Sequence, residues 1–193
     1  PLSFAEDFSD PLLRPMEWNV VNLDGSFTWE TYYIEWQDNF AMKMQNFGYF
    51  YTGERDQLIS PPINLLGYTG VFLDFEYAYA QRFSEIDSLI VYISDDCGTS
   101  WTRVWAGGPD GTGSFATSPN TGYPFEPASE EDWCGLGYGA ECVSIPMEEW
   151  IESGTIRIMF ENYNGFGNNM YIDNVAVDFA SGLVLGSTGG IRR

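Results

Sequence analysis

The stretch "NGFGNNMYIDNVAV", residues 164–177, decides the fold. Its second half alternates as a β-strand does. Tyr171, Asp173, Val175 and Val177 fall on one face, with Ile172, Asn174 and Ala176 on the other. An aspartate therefore shares a side with apolar residues, where a carboxylate costs several kcal/mol unless it is compensated.

The same alternation recurs upstream. "VFLDFEYAYA" (71–80) puts Val71, Leu73, Phe75, Tyr77 and Tyr79 together, and "DSLIVYISDDCG" (87–98) groups Leu89, Val91 and Ile93. "GTIRIMFEN" (154–162) aligns Ile156, Ile158 and Phe160, and "WTRVWAGG" (101–108) is a short strand ending in glycines. "DQLISPPINL" (56–65) is extended, its prolines suiting a sheet edge or corner. Helical spacing is confined to a turn or two in "PMEEWIES". Many short strands separated by Gly, Asn, Asp and Pro predict an all-β domain, an antiparallel β-sandwich. Its core is expected to contain Phe75, Tyr77, Leu89, Val91, Ile93, Ile156, Ile158, Phe160, Val175 and Val177. The polar loop from Gly107 to Asp132 is long enough to be functional, mobile or an ordered lid.

The 193 residues fit one large β domain, and 17% aromatic content is ample for a core. The expected division is a sandwich over 1–180 and a Gly/Ser-rich tail or linker over 181–193, part of a larger polypeptide. Eight Lys and Arg against 28 Asp and Glu leave a net charge of −20. Such a surface repels phosphate backbones and anionic lipid, so nucleic acid and membrane surfaces are not expected partners. No apolar run approaches the ~20 residues that span a bilayer.

The sequence contains no histidine. That removes Ser-His-Asp and Cys-His chemistry and the usual zinc hydrolase sets. No carboxylate pair stands out as a tuned acid and base, so no enzyme activity is expected. Of three cysteines, Cys134 and Cys142 bracket "CGLGYGAEC", a loop that closes as a disulfide in an oxidising compartment or else leaves two thiols. Cys97 is then a small turn or core residue.

Asp173 has two companions. Asp87 shares a face with Leu89, Val91 and Ile93, and Glu6 with Leu2, Phe4 and Phe8. A bulge would exchange Glu6 for Asp7. Acids on apolar faces at strand ends fit either a shared hard cation, which takes carboxylate and carbonyl oxygens, or separate capping of backbone N–H groups.

An ordered series of motifs carries a resemblance over nearly the whole chain: "FAEDF" (4–8), "W…NLDGSFTW" (18–29), "DQLISPPINL" (56–65), "LDFEYAYA" (73–80), "DSLIVYISDDCGTSWTRVW" (87–105), "FEP…W" (125–133) and "NGFGNNMYIDNV" (164–175). The chain resembles the cleaved-adhesin or choice-of-anchor jelly-roll modules of Bacteroidota proteins secreted by the type IX system, which in turn look like MAM domains. The resemblance implies a galactose-binding-like or concanavalin-like jelly roll with no catalytic role, on the cell surface or outside the cell. It also implies a structural calcium between first and last strands, with Glu6 or Asp7 and Asp173 as ligands. Asp87 joins that set on the alternation argument alone. The "CGLGYGAEC" segment departs from the family as an insertion, and the family's C-terminal sorting domain is absent from this sequence.

Two functions remain open: a glycan-binding or adhesive module, and a structural or protein-interaction module accompanying a secreted hydrolase or secretion machinery. Trp36, Tyr49, Tyr51, Trp101, Trp105, Tyr123 and Phe166 lie in or beside polar turns, where exposed rings stack on sugar faces. Aromatics dominate cores, so roughly two-thirds or more of these are expected to be buried. A row of exposed aromatics beside a groove would favour the glycan reading.

Overall fold

The computed structural model describes residues 4–10 and 18–179; the tail expected over 181–193 lies outside them. Twelve strands run in the order β1 (Phe4–Glu6), β2 (Asn19–Val21), β3 (Trp29–Ile34), β4 (Asn39–Met44), β5 (Arg55–Ile59), β6 (Ile63–Asn64), β7 (Val71–Tyr79), β8 (Ser88–Ser94), β9 (Thr102–Gly107), β10 (Val143–Pro146), β11 (Thr155–Tyr163) and β12 (Met170–Phe179). One sheet is ordered β10-β7-β12-β4-β3, with β1 also on β12, and the other β2-β5-β11-β8-β9, with β6 also on β11. All named strand pairs are antiparallel. The molecule is the expected antiparallel jelly-roll sandwich. Helix among the described residues is limited to 3-10 turns, one of them Glu148–Ser153 within the segment expected to turn.

The ten expected core residues are all buried in the main cluster between the sheets. Period-two alternation works for β7 because its inward side meets the opposite sheet. β5 is not an edge strand, since it lies between β2 and β11. Its prolines, Pro61 and Pro62, fall at the corner between β5 and β6, where no ladder N–H is needed.

The alternation fails in β12. Met170 and Ile172 join the inner core, whereas Tyr171 packs outside the sheet with Ile34, Ala41, Ala78, Ala80, Phe125 and Trp133. Pairing with β7 shifts between Asp173 and Ala176: Asp173 faces Glu76, and Ala176 faces Asp74. The extra residue lies at Asn174, whose φ of 49° is left-handed, a conformation Asn tolerates better than most. The bulge lets Val175 and Val177 point inward while Asp173 keeps the outward parity of Tyr171. Asp173 is therefore buried on the outer side of its sheet.

The long loop packs on both sides of the sheet. Phe125, with Trp133 just after the loop, covers the outer cluster, whereas Phe115 enters the core between the sheets and stacks on Tyr79 at a centroid distance of 4.4 Å. The Thr117 N–H donates to the Tyr79 carbonyl at 2.8 Å, and Cys134 N–H to the Tyr77 carbonyl at 3.0 Å. The segment is an ordered lid. Cys134 and Cys142 are disulfide-bonded next to it, and Cys97 is exposed in a turn at φ 62°.

Candidate functional site

The four acids expected to share a cation do not converge. Among the described residues, no group of three or more His, Cys, Asp or Glu side chains is gathered to hold a metal. Asp87 is fully buried, and its carboxylate accepts N–H bonds from Gly165 (2.8 Å), Gly167 (3.0 Å) and Asn168 (2.7 Å). The Tyr79 hydroxyl adds a fourth donor at 3.2 Å. Burial raises its pKa, and the backbone N–H groups oppose that rise. A carboxylate saturated in this way caps the loop before β12, so Asp87 leaves the cation set. The approach is close: a Cβ on Gly167 would collide with the Asp87 Oδ2.

Glu6 is similarly engaged. Its Oε1 accepts from Phe8 N at 2.8 Å and its Oε2 from the Trp18 indole at 3.0 Å. Asp173 differs. It is 1% exposed, and its donors are its neighbour Asn174 N (2.7 Å) and Asn39 Nδ2 (3.2 Å). Burial pushes its carboxyl up to about 8, with the negative charges of Glu76 and Asp7 adding to the rise. The acids around Asp173 are therefore Asp7 and Glu76. Sequence periodicity could not find Glu76, because only the β7–β12 register places it there.

The aromatic candidates separate clearly. Tyr49 is 1% exposed and belongs to the core; Trp105 is half-buried against Phe75, Tyr77 and Phe115. Tyr49 therefore cannot present a ring face to a ligand. Trp101 and Phe166 are half-buried, Phe166 lying against Phe50 with Arg82 over its ring. Tyr51 (67%) and Tyr123 (80%) are exposed, as is Trp36 (37%). Burial thus claims fewer of the seven than expected, since the loops carrying them fold back only in part.

Trp36 lies in the turn joining β3 to β4 and borders an open depression of ≈ 450 Å³ with Glu35, Glu126, Pro127 and Ala128. The Trp36 indole N–H donates to the Pro127 carbonyl at 2.8 Å, and the Tyr32 hydroxyl to Glu126 at 2.8 Å, so lid and hairpin are tied together. Burial, followed by the Glu126 hydrogen bond, pushes Tyr32 up to about 12, which keeps it a donor. The Lys43 ammonium sits 4.2 Å over the Tyr32 ring. An indole flanked by carboxylates offers a sugar both a stacking surface and acceptors for its hydroxyls. A second group of exposed rings, Phe50, Tyr51, Phe83 and Tyr123, lies on loops.

No family model matches the chain, and no curated protein matches it significantly. Solved structures do. The K1 cleaved adhesin domain of Lys-gingipain from Porphyromonas gingivalis W83 is 16% identical with a TM-score of 0.60, over 92% of this chain and 98% of that domain. The K2 domain of Lys-gingipain gives 15% and 0.58, over 92% and 98%. The module CBM27-1 of Caldicellulosiruptor saccharolyticus, solved with mannohexaose, is 12% identical with a TM-score of 0.56, over 92% and 98%. At these identities the likeness is one of fold. No helix among the described residues is long and apolar enough to cross a membrane.

Proposed function

We propose that this chain is a non-catalytic carbohydrate-binding or adhesive module of a secreted or cell-surface protein, with a neutral glycan seated at Trp36. The observation that carries this reading is the exposed indole beside the depression lined by Glu35 and Glu126. A net charge of −20 disfavours uronate-rich or sulfated glycans, which leaves neutral chains. The fold is also one on which another module holds mannohexaose. Catalysis is not part of the proposal: there is no histidine, and Asp87 and Asp173 are buried in hydrogen-bonded positions rather than facing a cleft.

The proposal includes calcium. The seat is Asp173 itself, with backbone carbonyls as further ligands: burial and the negative charges of Glu76 and Asp7 disfavour its charged form, and a hard cation would offset both, although these three carboxylates are not gathered into a ligand set. A bound ion would link the start of the chain to β12.

A glycan array followed by calorimetry tests the glycan seat. Binding to a neutral polysaccharide that falls tenfold or more in Trp36→Ala is the expected outcome, as stacking is worth ~0.5–1.5 kcal/mol beyond buried area. Silence across neutral plant, algal and host glycans would defeat it. The protein-interaction reading would then stand, with the exposed Phe50, Tyr51, Phe83 and Tyr123 as its surface.

A further inference from the structure

A different buried acid has no partner. Asp56 in β5 shares the inward face with Leu58 and Ser60 and is 1% exposed. Neither of its carboxylate oxygens meets a hydrogen-bond donor among the described residues, and the buried Thr28 hydroxyl likewise has none. The Thr28 hydroxyl nevertheless lies close enough to lower the Asp56 pKa, so the two groups face each other outside hydrogen-bonding geometry. Asp24 and Glu54 add negative charge around the same carboxylate.

A buried carboxylate and a nearby buried hydroxyl, both without hydrogen-bond partners, are oxygens free to bind one ion. Oxygens bound to one calcium at ~2.3–2.6 Å sit roughly 3–4 Å or more apart, too far for a good hydrogen bond between them. The segment that carries Thr28 has the matching chemistry. Asn22, Asp24, Ser26 and Thr28 place side-chain oxygens at alternate positions, with Gly25 at φ 70° between them. Calcium loops present oxygens at their first, third and fifth positions in the same rhythm. The loop is already braced: the Tyr49 hydroxyl donates to Asp24 Oδ2, and Asn22 Oδ1 accepts from Gly25 N at 2.7 Å.

We propose that Asp56, Thr28 and Asp24 form a second cation site that takes calcium, separate from the acids around Asp173. The orphaned carboxylate is its origin. A lone buried acid can alternatively be satisfied by holding its proton, and burial does push Asp56 up to about 6. Two orphaned oxygens facing one another beside an oxygen-rich loop favour the ion. Asp56 is legible in the sequence by the argument applied to Asp87, an acid alternating with apolar residues at a strand start.

The test is calcium calorimetry on the chelator-stripped 193-residue chain, with Asp56→Asn, Thr28→Val and Asp173→Asn beside it. A binding event retained in Asp173→Asn, abolished in Asp56→Asn and weakened tenfold or more in Thr28→Val is expected. Terbium supplies a second readout, since the Trp29 indole donates to the Asp56 carbonyl at 3.1 Å and can sensitise an ion there. That emission should disappear in Asp56→Asn and persist in Asp173→Asn. Should Asp56→Asn not fold, Thr28→Val decides by the same heat and emission. Unchanged titration in Asp56→Asn or Thr28→Val, or no calcium event outside the Asp173 site, overturns the proposal. An Asp56→Asn midpoint raised equally in calcium and in chelator assigns the carboxyl a proton and overturns it as well.

Discussion

Asp173 on β12 stands directly across from Glu76 on β7, two acids in opposed register beside a bulge. Asn174 turns back to donate its side-chain amide to Glu76 at 2.7 Å, which relieves only one of the pair. Like charges facing each other across strands destabilise a sheet.

This opposition predicts how stability responds to pH. Asp173 holds its proton to about 8 in the fold, against an ordinary aspartate value of 3.8 in the unfolded chain. The native state therefore binds more protons between those values, and stability falls as pH rises through the window. In chelator, the wild type is expected to lose up to about 1.4 kcal/mol per pH unit relative to Asp173→Asn across that window. Calcium requires the ionised form, so its stabilisation should be largest at pH 8 and fade toward pH 5. Thermal unfolding at both pH values checks this. A wild-type midpoint unmoved by chelation at pH 8 removes the ion from Asp173.

Gly167 is expected to tolerate no side chain. An added Cβ would overlap the Asp87 carboxylate, and displacing that carboxylate breaks three backbone N–H bonds. Gly167→Ala and Asp87→Ala should each cost about 2–4 kcal/mol in urea unfolding, by collision in one and by orphaned donors in the other.

The lid should contribute to stability rather than merely cover the sheet. Phe115 is buried and stacked on Tyr79, so Phe115→Ala should cost about 3–5 kcal/mol. A loss under about 1 kcal/mol would show the lid folding independently of the sandwich.

The Cys134–Cys142 bridge closes a loop of separation 8, so its effect is modest. Reduction should lower stability by about 2–2.5 kcal/mol without unfolding the domain at room temperature. Peptide mapping under non-reducing conditions should find Cys97 alkylatable, as its exposure requires.

Where apolar residues recur at every second position of a strand, the sequence is legible, even when the other face is also largely covered, as in β8 and β11. That holds for β7, β8 and β11, whose alternating apolar residues all lie in the core between the sheets. The β3–β4 hairpin is not legible in this way: Met42 and Met44 face the core while Ile34 and Ala41 face the lid, and burial on both sides erases alternation. In β12 the periodicity puts Tyr171 and Val175 on a shared face, because nothing in the residues before Asn174 announces the bulge. The acids stand out as unusual, but whether backbone N–H groups reach a carboxylate depends on loops distant in sequence. Trp36 is legible as a turn residue; its neighbour Glu126 reaches it only through the lid.

The antiparallel pairing of β1 with β12 has a mechanical consequence. Phe4 pairs with Val177 and Glu6 with Val175, so the chain leaves both strands at the same end of the ladder. Tension applied through the segments before Phe4 and after Phe179 would open this ladder pair by pair, as a zipper, rather than shearing all its hydrogen bonds at once. Peeling would run from Phe4 toward Asp7, and a cation joining Asp7 to Asp173 would be the last fastening reached. Calcium would then set the force at which the first strand detaches more strongly than it sets the stability of the unloaded domain.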